Sequence, residues 1–200
     1  MSKSMLTKHE LLEPLARLRG DAVVVTCMSV TRPWGAYSRN ELDFASADSA
    51  MGHTADLALG IALALPERKV ICLNGDGSML MTLGTLVTAA QAAARNYFLF
   101  VLQNDVYEIT GNQPVPGAGR IDFAAMAHGA GFSRVHSFED AGAFESSLSG
   151  LLSGEGPVLA VVRIEPGSEG PISRSEREAS PYLKTSLAES ARRLRRALHS

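Results

Sequence analysis

Residues 73–105, LNGDGSMLMTLGTLVTAAQAAARNYFLFVLQND, constrain the fold of this chain more than any other stretch. Two apolar runs of strand length, KVICLN (69–74) and YFLFVLQ (97–103), each end on a polar cluster: GDGS after the first, QND after the second. Continuous Val-, Ile- and Phe-rich runs fit strands covered on both faces, as in a parallel sheet. The stretch between them, MLMTLGTLVTAAQAAAR, reads as one long apolar helix. A strand–helix–strand unit of this kind forms a right-handed crossover, which brings both polar clusters to the same edge of the sheet if the two strands are neighbours.

The same alternation continues along the chain. DAVVVTC (21–27) and VLAVVRI (158–164) are further strand runs, with DFAS (43–46) and SRVHS (133–137) as shorter candidates. Between them lie the helical patterns TADLALGIALAL, DFAAMAHGA and EDAGAFESSLSGLL. HELLEPLARLR comes first, and its Pro14 argues for a short or broken helix. Helices follow strands almost throughout, so the expected fold is an open α/β domain with a doubly wound, mainly parallel sheet and helices on both faces. Residues 1–164 read as this domain. Residues 165–182 are Gly, Pro, Ser and charge, and read as an extended surface segment. A last helix then places Leu183, Leu187, Ala191, Leu194 and Leu198 on one face, packed on the same domain, with Arg192, Arg193, Arg195 and Arg196 off that stripe.

Charge and cysteine usage exclude several function classes. A net charge of −2 gives no reason to expect nucleic acid or an anionic membrane surface as partner. Cys27 and Cys72 each sit inside an apolar run, as small core side chains of a reducing compartment rather than a disulfide framework. The N-terminus lacks a signal-peptide apolar segment and no run reaches the length of a membrane span, so the cytoplasm is the expected location. No CxxC cluster offers an iron–sulfur site.

In open α/β sheets ligands bind beyond the carboxyl ends of strands, where loops meet helix N-termini. Gly75 and Gly77 would let the backbone turn tightly and bring N–H groups near a ligand, and Ser78 would cap the helix or donate to a phosphate. Asp76 repels phosphate, so an anion site built around it makes sense only with a cation between them. Magnesium fits, since a few protein oxygens plus phosphates satisfy it. Asn104, 28 residues on, supplies an amide oxygen, and a backbone carbonyl just past it a third ligand. A haloacid-dehalogenase-type phosphatase also uses a GDG-like loop. It would require Asn and Asp straight after the glycines and an early DxD, whereas this chain has GDGSML and no DxD.

GDG, about 26 residues and an Asn-containing pair resemble the signature of the thiamine-diphosphate enzymes. This chain has Gln103–Asn104 where that family usually has Asn-Asn. The resemblance implies a thiamine-diphosphate-binding fold, with thiamine diphosphate and Mg²⁺ as cofactors and with Asp76, Asn104 and the Val106 carbonyl as metal ligands. Gly77 and Ser78 would contact the diphosphate, with Gly75 and Tyr107 completing that end of the site. Upstream, SADSAMGHTADLALGIALAL is similar to the same domain's approach to the motif. Met51 there matches the bulky side chain under the bent cofactor, or fills a core gap, and the Ser49 carbonyl matches the acceptor of the aminopyrimidine amino group. His53 either starts a helix or reaches a substrate carboxylate. Gln113 orders its loop or touches substrate.

Within the family, the order of elements, the MGH stretch and YEITGNQPVP most resemble the sulfopyruvate and phosphonopyruvate decarboxylases. That implies a small 2-oxo acid substrate carrying a second anionic group. Such enzymes bind the cofactor between two domains, and the second supplies the glutamate that activates it. The chain has length for the diphosphate domain alone, and none of its glutamates matches the activating one. The resemblance therefore implies a separate pyrimidine-binding α subunit, in an α₂β₂ assembly, and a β chain silent without it. A non-catalytic cofactor-binding subunit and half of an acetolactate-synthase-like carboligase remain alternatives.

Overall fold

A computed structural model describes residues 5–45, 51–173 and 175–199. Its first helix, α1 (Lys8–Leu18), opens on a capping box between Thr7 and Glu10. It runs unbroken through Pro14, contrary to the sequence expectation of a short or broken helix. The proline costs about 3 kcal/mol, but Leu11, Leu12 and Leu15 are all buried on the same helix, at roughly 1.5–3 kcal/mol each. Packing outweighs the missing N–H.

Six strands form the main sheet: β1 (Val23–Thr26), β2 (Asp43–Ala45), β3 (Val70–Gly75), β4 (Tyr97–Gln103), and, after a small hairpin of β5 (Val106–Tyr107) and β6 (Gln113–Pro114), β7 (Arg134–Phe138) and β8 (Val158–Arg163). Their order is β2-β1-β3-β4-β8-β7, and every pairing is parallel. The helices are α2 (Thr31–Tyr37), α3 (Thr54–Ala64), α4 (Asp76–Met81), α5 (Gly84–Ala92), α6 (Phe123–Ala130), α7 (Ala141–Ser153) and α8 (Leu187–His199). Strand residues alternate between two cores, as the pleat requires. Val23, Val25, Val70, Cys72, Leu99 and Val101 face α3, α5 and α6, while Val24, Ile71, Leu73, Phe98, Phe100 and Leu102 face α1 and α7. Both cysteines are free and buried. The doubly wound α/β expectation holds. The chain leaves β1 for the edge strand β2 and returns on the far side of β1 as β3, so a topological switch lies between β1 and β3.

Two helix readings need correction. The long helix after GDGS is two helices, α4 and α5, broken at Thr82 (φ −139°, ψ 48°). The Thr82 hydroxyl donates to the Gly52 carbonyl, so the break holds down the segment that carries Met51. The terminal helix begins at Leu187, with Leu183 in a preceding 3₁₀ turn. Its inward face uses buried Ser190 and Leu194, while Ala191 is exposed. The described residues of the 165–182 segment carry no regular element before the 3₁₀ turn at Pro181–Leu183, and some are buried. Arg32 holds it through Glu169, Glu178 and the Gly170 and Pro171 carbonyls.

Candidate functional site

A cavity of about 370 Å³ opens beyond the C-terminal ends of β1, β3 and β4, at the switch. Asp76, Asn104 and Val106 all line it, together with Gly75, Gly77 and Ser78. Residues from two different loops therefore meet because β3 and β4 pair in register, with Gly75 opposite Leu102.

Asp76 is the first residue of α4 and is only 2% exposed. Its Oδ1 accepts the Gly77 N–H and its Oδ2 the Asp105 N–H, each at 2.7 Å. Burial, helped by the neighbouring Asp105 charge and opposed by those backbone hydrogen bonds, raises its pKa from 3.8 to about 6. Asp105 adopts φ +61°, a left-handed conformation that Asp tolerates, and this turns its N–H back onto Asp76. Its carboxylate is held by Gln103 Nε2 and Arg163 Nη2, both at 3.1 Å. Gln103, the departure from Asn-Asn, thus orders the loop that carries the next ligand.

Asn104 is nearly buried and its Oδ1 accepts the Val106 N–H at 3.2 Å. The Asp105 and Tyr107 carbonyls take the Val115 and Asn112 N–H groups across the hairpin. The alternation along β5 therefore turns the Val106 N–H and carbonyl together to the Asn104 side. A carboxylate held by backbone amides, an amide oxygen and a peptide carbonyl form a hard oxygen donor set that suits Mg²⁺ shared with a diphosphate. Among the described residues, no three His, Cys, Asp or Glu side chains gather as an all-protein metal centre.

The turn and capping parts of the glycine and serine reading change. Gly75 and Gly77 are not in the left-handed region, and Gly75 is the N-cap of α4 without a side-chain cap bond. Gly77 is required because a Cβ there would come within 2.5 Å of the Tyr107 ring. Ser78 does not cap the helix; its Oγ accepts the Gly52 N–H at 2.9 Å. Gly77→Ala is expected to push the Tyr107 ring from its seat, costing about 1–3 kcal/mol of stability. A urea titration checks this, and an unchanged midpoint would show the ring is free to move.

Met51 lines the cavity beside Met81. Ser49 lies outside the described residues. His53 starts α3, where its exposed ring contacts Asp56 at 2.8 Å, and it does not line the cavity. Gln113 bonds Thr110 through both ends of its amide, ordering its own loop. Sequence reasoning overlooked Glu108, which also lines the cavity and accepts from Asn104 Nδ2 at 3.1 Å. A carboxylate four positions after Asn104 was the available signal. Lys8, which meets Glu108, lies 100 residues away and gave none.

Residues 25–162 match the thiamine pyrophosphate enzyme family's C-terminal TPP binding domain. The chain belongs to that family. Its cofactor is thiamine diphosphate, with which Mg²⁺ goes. The domain is 40% identical over 119 residues to the sulfopyruvate decarboxylase subunit beta of Methanothermobacter thermautotrophicus, covering 60% of each chain. It is 36% identical over 146 residues to the phosphonopyruvate decarboxylase of Streptomyces viridochromogenes, covering 73% of this chain and 34% of that protein. Among solved structures it is similar to the thiamine diphosphate-dependent 4-hydroxybenzoylformate decarboxylase of Rhodococcus jostii RHA1. There the TM-score is 0.69 at 25% identity, over 84% of this chain and 34% of that one. The matched stretch thus spans under two thirds of these relatives' length. No described helix is long and apolar enough to cross a membrane.

Proposed function

We propose that this chain is the diphosphate-and-magnesium half of a thiamine-diphosphate-dependent decarboxylase of a small, anionic 2-oxo acid, of the sulfopyruvate or phosphonopyruvate kind. The observation that carries the reading is the meeting of Asp76, Asn104 and Val106 in one cavity at the sheet's switch point. In this reading residues 1–164 form the cofactor domain and 165–200 pack on it. Asp76, Asn104 Oδ1 and the Val106 carbonyl hold Mg²⁺, and the Gly75–Ser78 turn receives the diphosphate. Tyr107 closes over Gly77, and Met51 and the Ser49 carbonyl meet the far end of the cofactor. Bound there, the cofactor supplies a carbon nucleophile and an electron sink for the carboxylate's departure. The protein's own work is to neutralise the diphosphate, exclude water and fix the cofactor's pose.

The name "subunit beta" borne by a relative supports a separate α partner. That partner would bring the pyrimidine pocket and the activating glutamate, in an α₂β₂ complex of the cytoplasm. The test is calorimetric titration of thiamine diphosphate with Mg²⁺ into the chain, alone and with a pyrimidine-domain partner, with Asp76→Ala as control. Metal-dependent heat lost in the variant supports the site, and no binding even with the partner present sinks it. Aldehyde and CO₂ from a 2-oxo acid by the complex support decarboxylation. A coupled hydroxy-oxo acid product would mean carboligation instead, and turnover by the isolated chain would refute the two-subunit arrangement.

The pH dependence follows from Asp76. The fold holds its proton to higher pH than the unfolded chain does, so between pH 4 and about 6 its contribution to metal-free stability falls as pH rises. Metal binding uses the ionised form. The thermal shift produced by Mg²⁺ and thiamine diphosphate is therefore expected to shrink as pH drops below about 6. A flat shift from pH 5 to 7.5 would remove Asp76 from the metal.

A further inference from the structure

Glu108 is a buried carboxylate that the donor set above leaves unused. Its side chain is 1% exposed. Oε1 meets Lys8 Nζ at 2.5 Å and accepts the Glu169 N–H at 2.9 Å, while Oε2 accepts from Asn104 Nδ2 at 3.1 Å. An ionised carboxylate only accepts, so the Asn104 amide must turn its NH₂ to Glu108 and its oxygen the other way. On that other side the Val106 N–H already donates to Oδ1, and an amide oxygen keeps a second lone pair for another partner. Flipped, the amide would set NH₂ against NH at Val106 and offer hydrogens, not an oxygen, to a cation.

Lys8 explains why a second carboxylate is tolerated beside the diphosphate site. It is the first residue of α1, where a positive charge opposes the helix dipole and gains nothing for the helix. Against Glu108 it cancels a charge that would otherwise repel the diphosphate and draw the metal off its ligands. The backbone of Gly167 lies against the pair: a Cβ there would stand 2.6 Å from Glu108 Oε1 and 2.9 Å from Lys8 Nζ. Asn112 Nδ2 donates to the Gly167 carbonyl at 3.1 Å and keeps that strand of chain in place.

We propose that Glu108, neutralised by Lys8 and covered by residues 167–169, is the positioning residue that fixes the Asn104 amide with its oxygen toward the metal. The proposal rests on the reading of Asn104 as a magnesium ligand. It extends the site to the start of α1 and to the segment after β8.

The test is a Mg²⁺ titration at saturating thiamine diphosphate on the full chain, alone and with a pyrimidine-domain partner, with thermal unfolding measured in parallel. Glu108→Ala is expected to raise the Mg²⁺ half-saturation at least tenfold. Glu108→Gln restores an acceptor for Asn104 Nδ2 but, able to donate as well, no longer excludes the flipped amide; it is expected to recover most of the loss. Lys8→Met, with Glu108 present but uncompensated, is expected to weaken thiamine diphosphate more than fivefold. A folded Glu108→Ala protein with wild-type Mg²⁺ dependence overturns the proposal. So does a Glu108→Gln protein as impaired as Glu108→Ala, since the acceptor it offers Asn104 Nδ2 would then not be what the metal site needs. Should Glu108→Ala fail to fold, wild-type behaviour of both Glu108→Gln and Lys8→Met overturns it. Failure of the wild-type chain to take up Mg²⁺ and thiamine diphosphate in either setting instead overturns the metal-site reading itself.

Discussion

Asp76→Asn is expected to weaken binding of thiamine diphosphate with Mg²⁺ at least a hundredfold while leaving the fold nearly as stable as before. Two opposing effects of similar size lead to that result. Holding the carboxylate's pKa at about 6 instead of 3.8 costs the ionised fold about 3 kcal/mol at neutral pH. The neutral amide removes this cost. Both carboxylate oxygens, however, accept backbone hydrogens, from Gly77 and Asp105. An amide has one oxygen, so one N–H is left facing NH₂, at about 1–3 kcal/mol. The two nearly cancel, and the unfolding midpoint should move little. Binding has no such compensation, because the metal loses the only anionic side chain of the proposed donor set. Calorimetry on the variant at matched stability is the measurement. Retained binding within tenfold would mean that the cation is held elsewhere.

The sequence made the ends of β3 and β4 legible because a buried strand that stops on Asp or Asn has no packing reason to do so. Periodicity likewise marked every strand of the main sheet. Three things escaped it. Pro14 argued from local chemistry against a helix that three buried leucines hold together. The break at Thr82 was invisible, since MLMTLGTLV is a good helical pattern and the competing bond runs to Gly52, 30 residues back. Gly77 looked like a turn glycine but is a contact glycine, and the ring it accommodates belongs to Tyr107. In the last two cases a partner remote in sequence decided the outcome. The Lys8–Glu108–Asn104 chain escaped for the same reason: its members become neighbours only when α1 packs beside the ends of β4 and β8.

Arg19→Met is expected to be among the most destabilising single substitutions, at about 3–5 kcal/mol. Arg19 and Asp43 are 5% and 1% exposed at the side chain and pair directly. Arg19 also donates to Ser38 Oγ and the Ala22 carbonyl. Methionine fills much of the volume, so the loss is electrostatic: it leaves a buried carboxylate without its cation. The Trp34 indole, the Ser38 hydroxyl and the Asn40 N–H still donate to Asp43, which places the loss toward the lower end of that range. For a chain of this size the unfolding midpoint should fall by roughly 10 °C, and a loss under about 1 kcal/mol would show that those three donors suffice. The damage should not spread evenly. Asp43 opens β2, which among the described strands pairs with β1 alone, and Met51 follows β2 in sequence. Asp76, Asn104 and Val106 instead follow β3 and β4, which are interior strands of the sheet. Folded Arg19→Met should therefore keep its Mg²⁺ half-saturation within twofold, while its grip on the far end of the cofactor, where Met51 lies, weakens. An Mg²⁺ shift as large as the stability loss would mean that the two ends of the site are not separately supported.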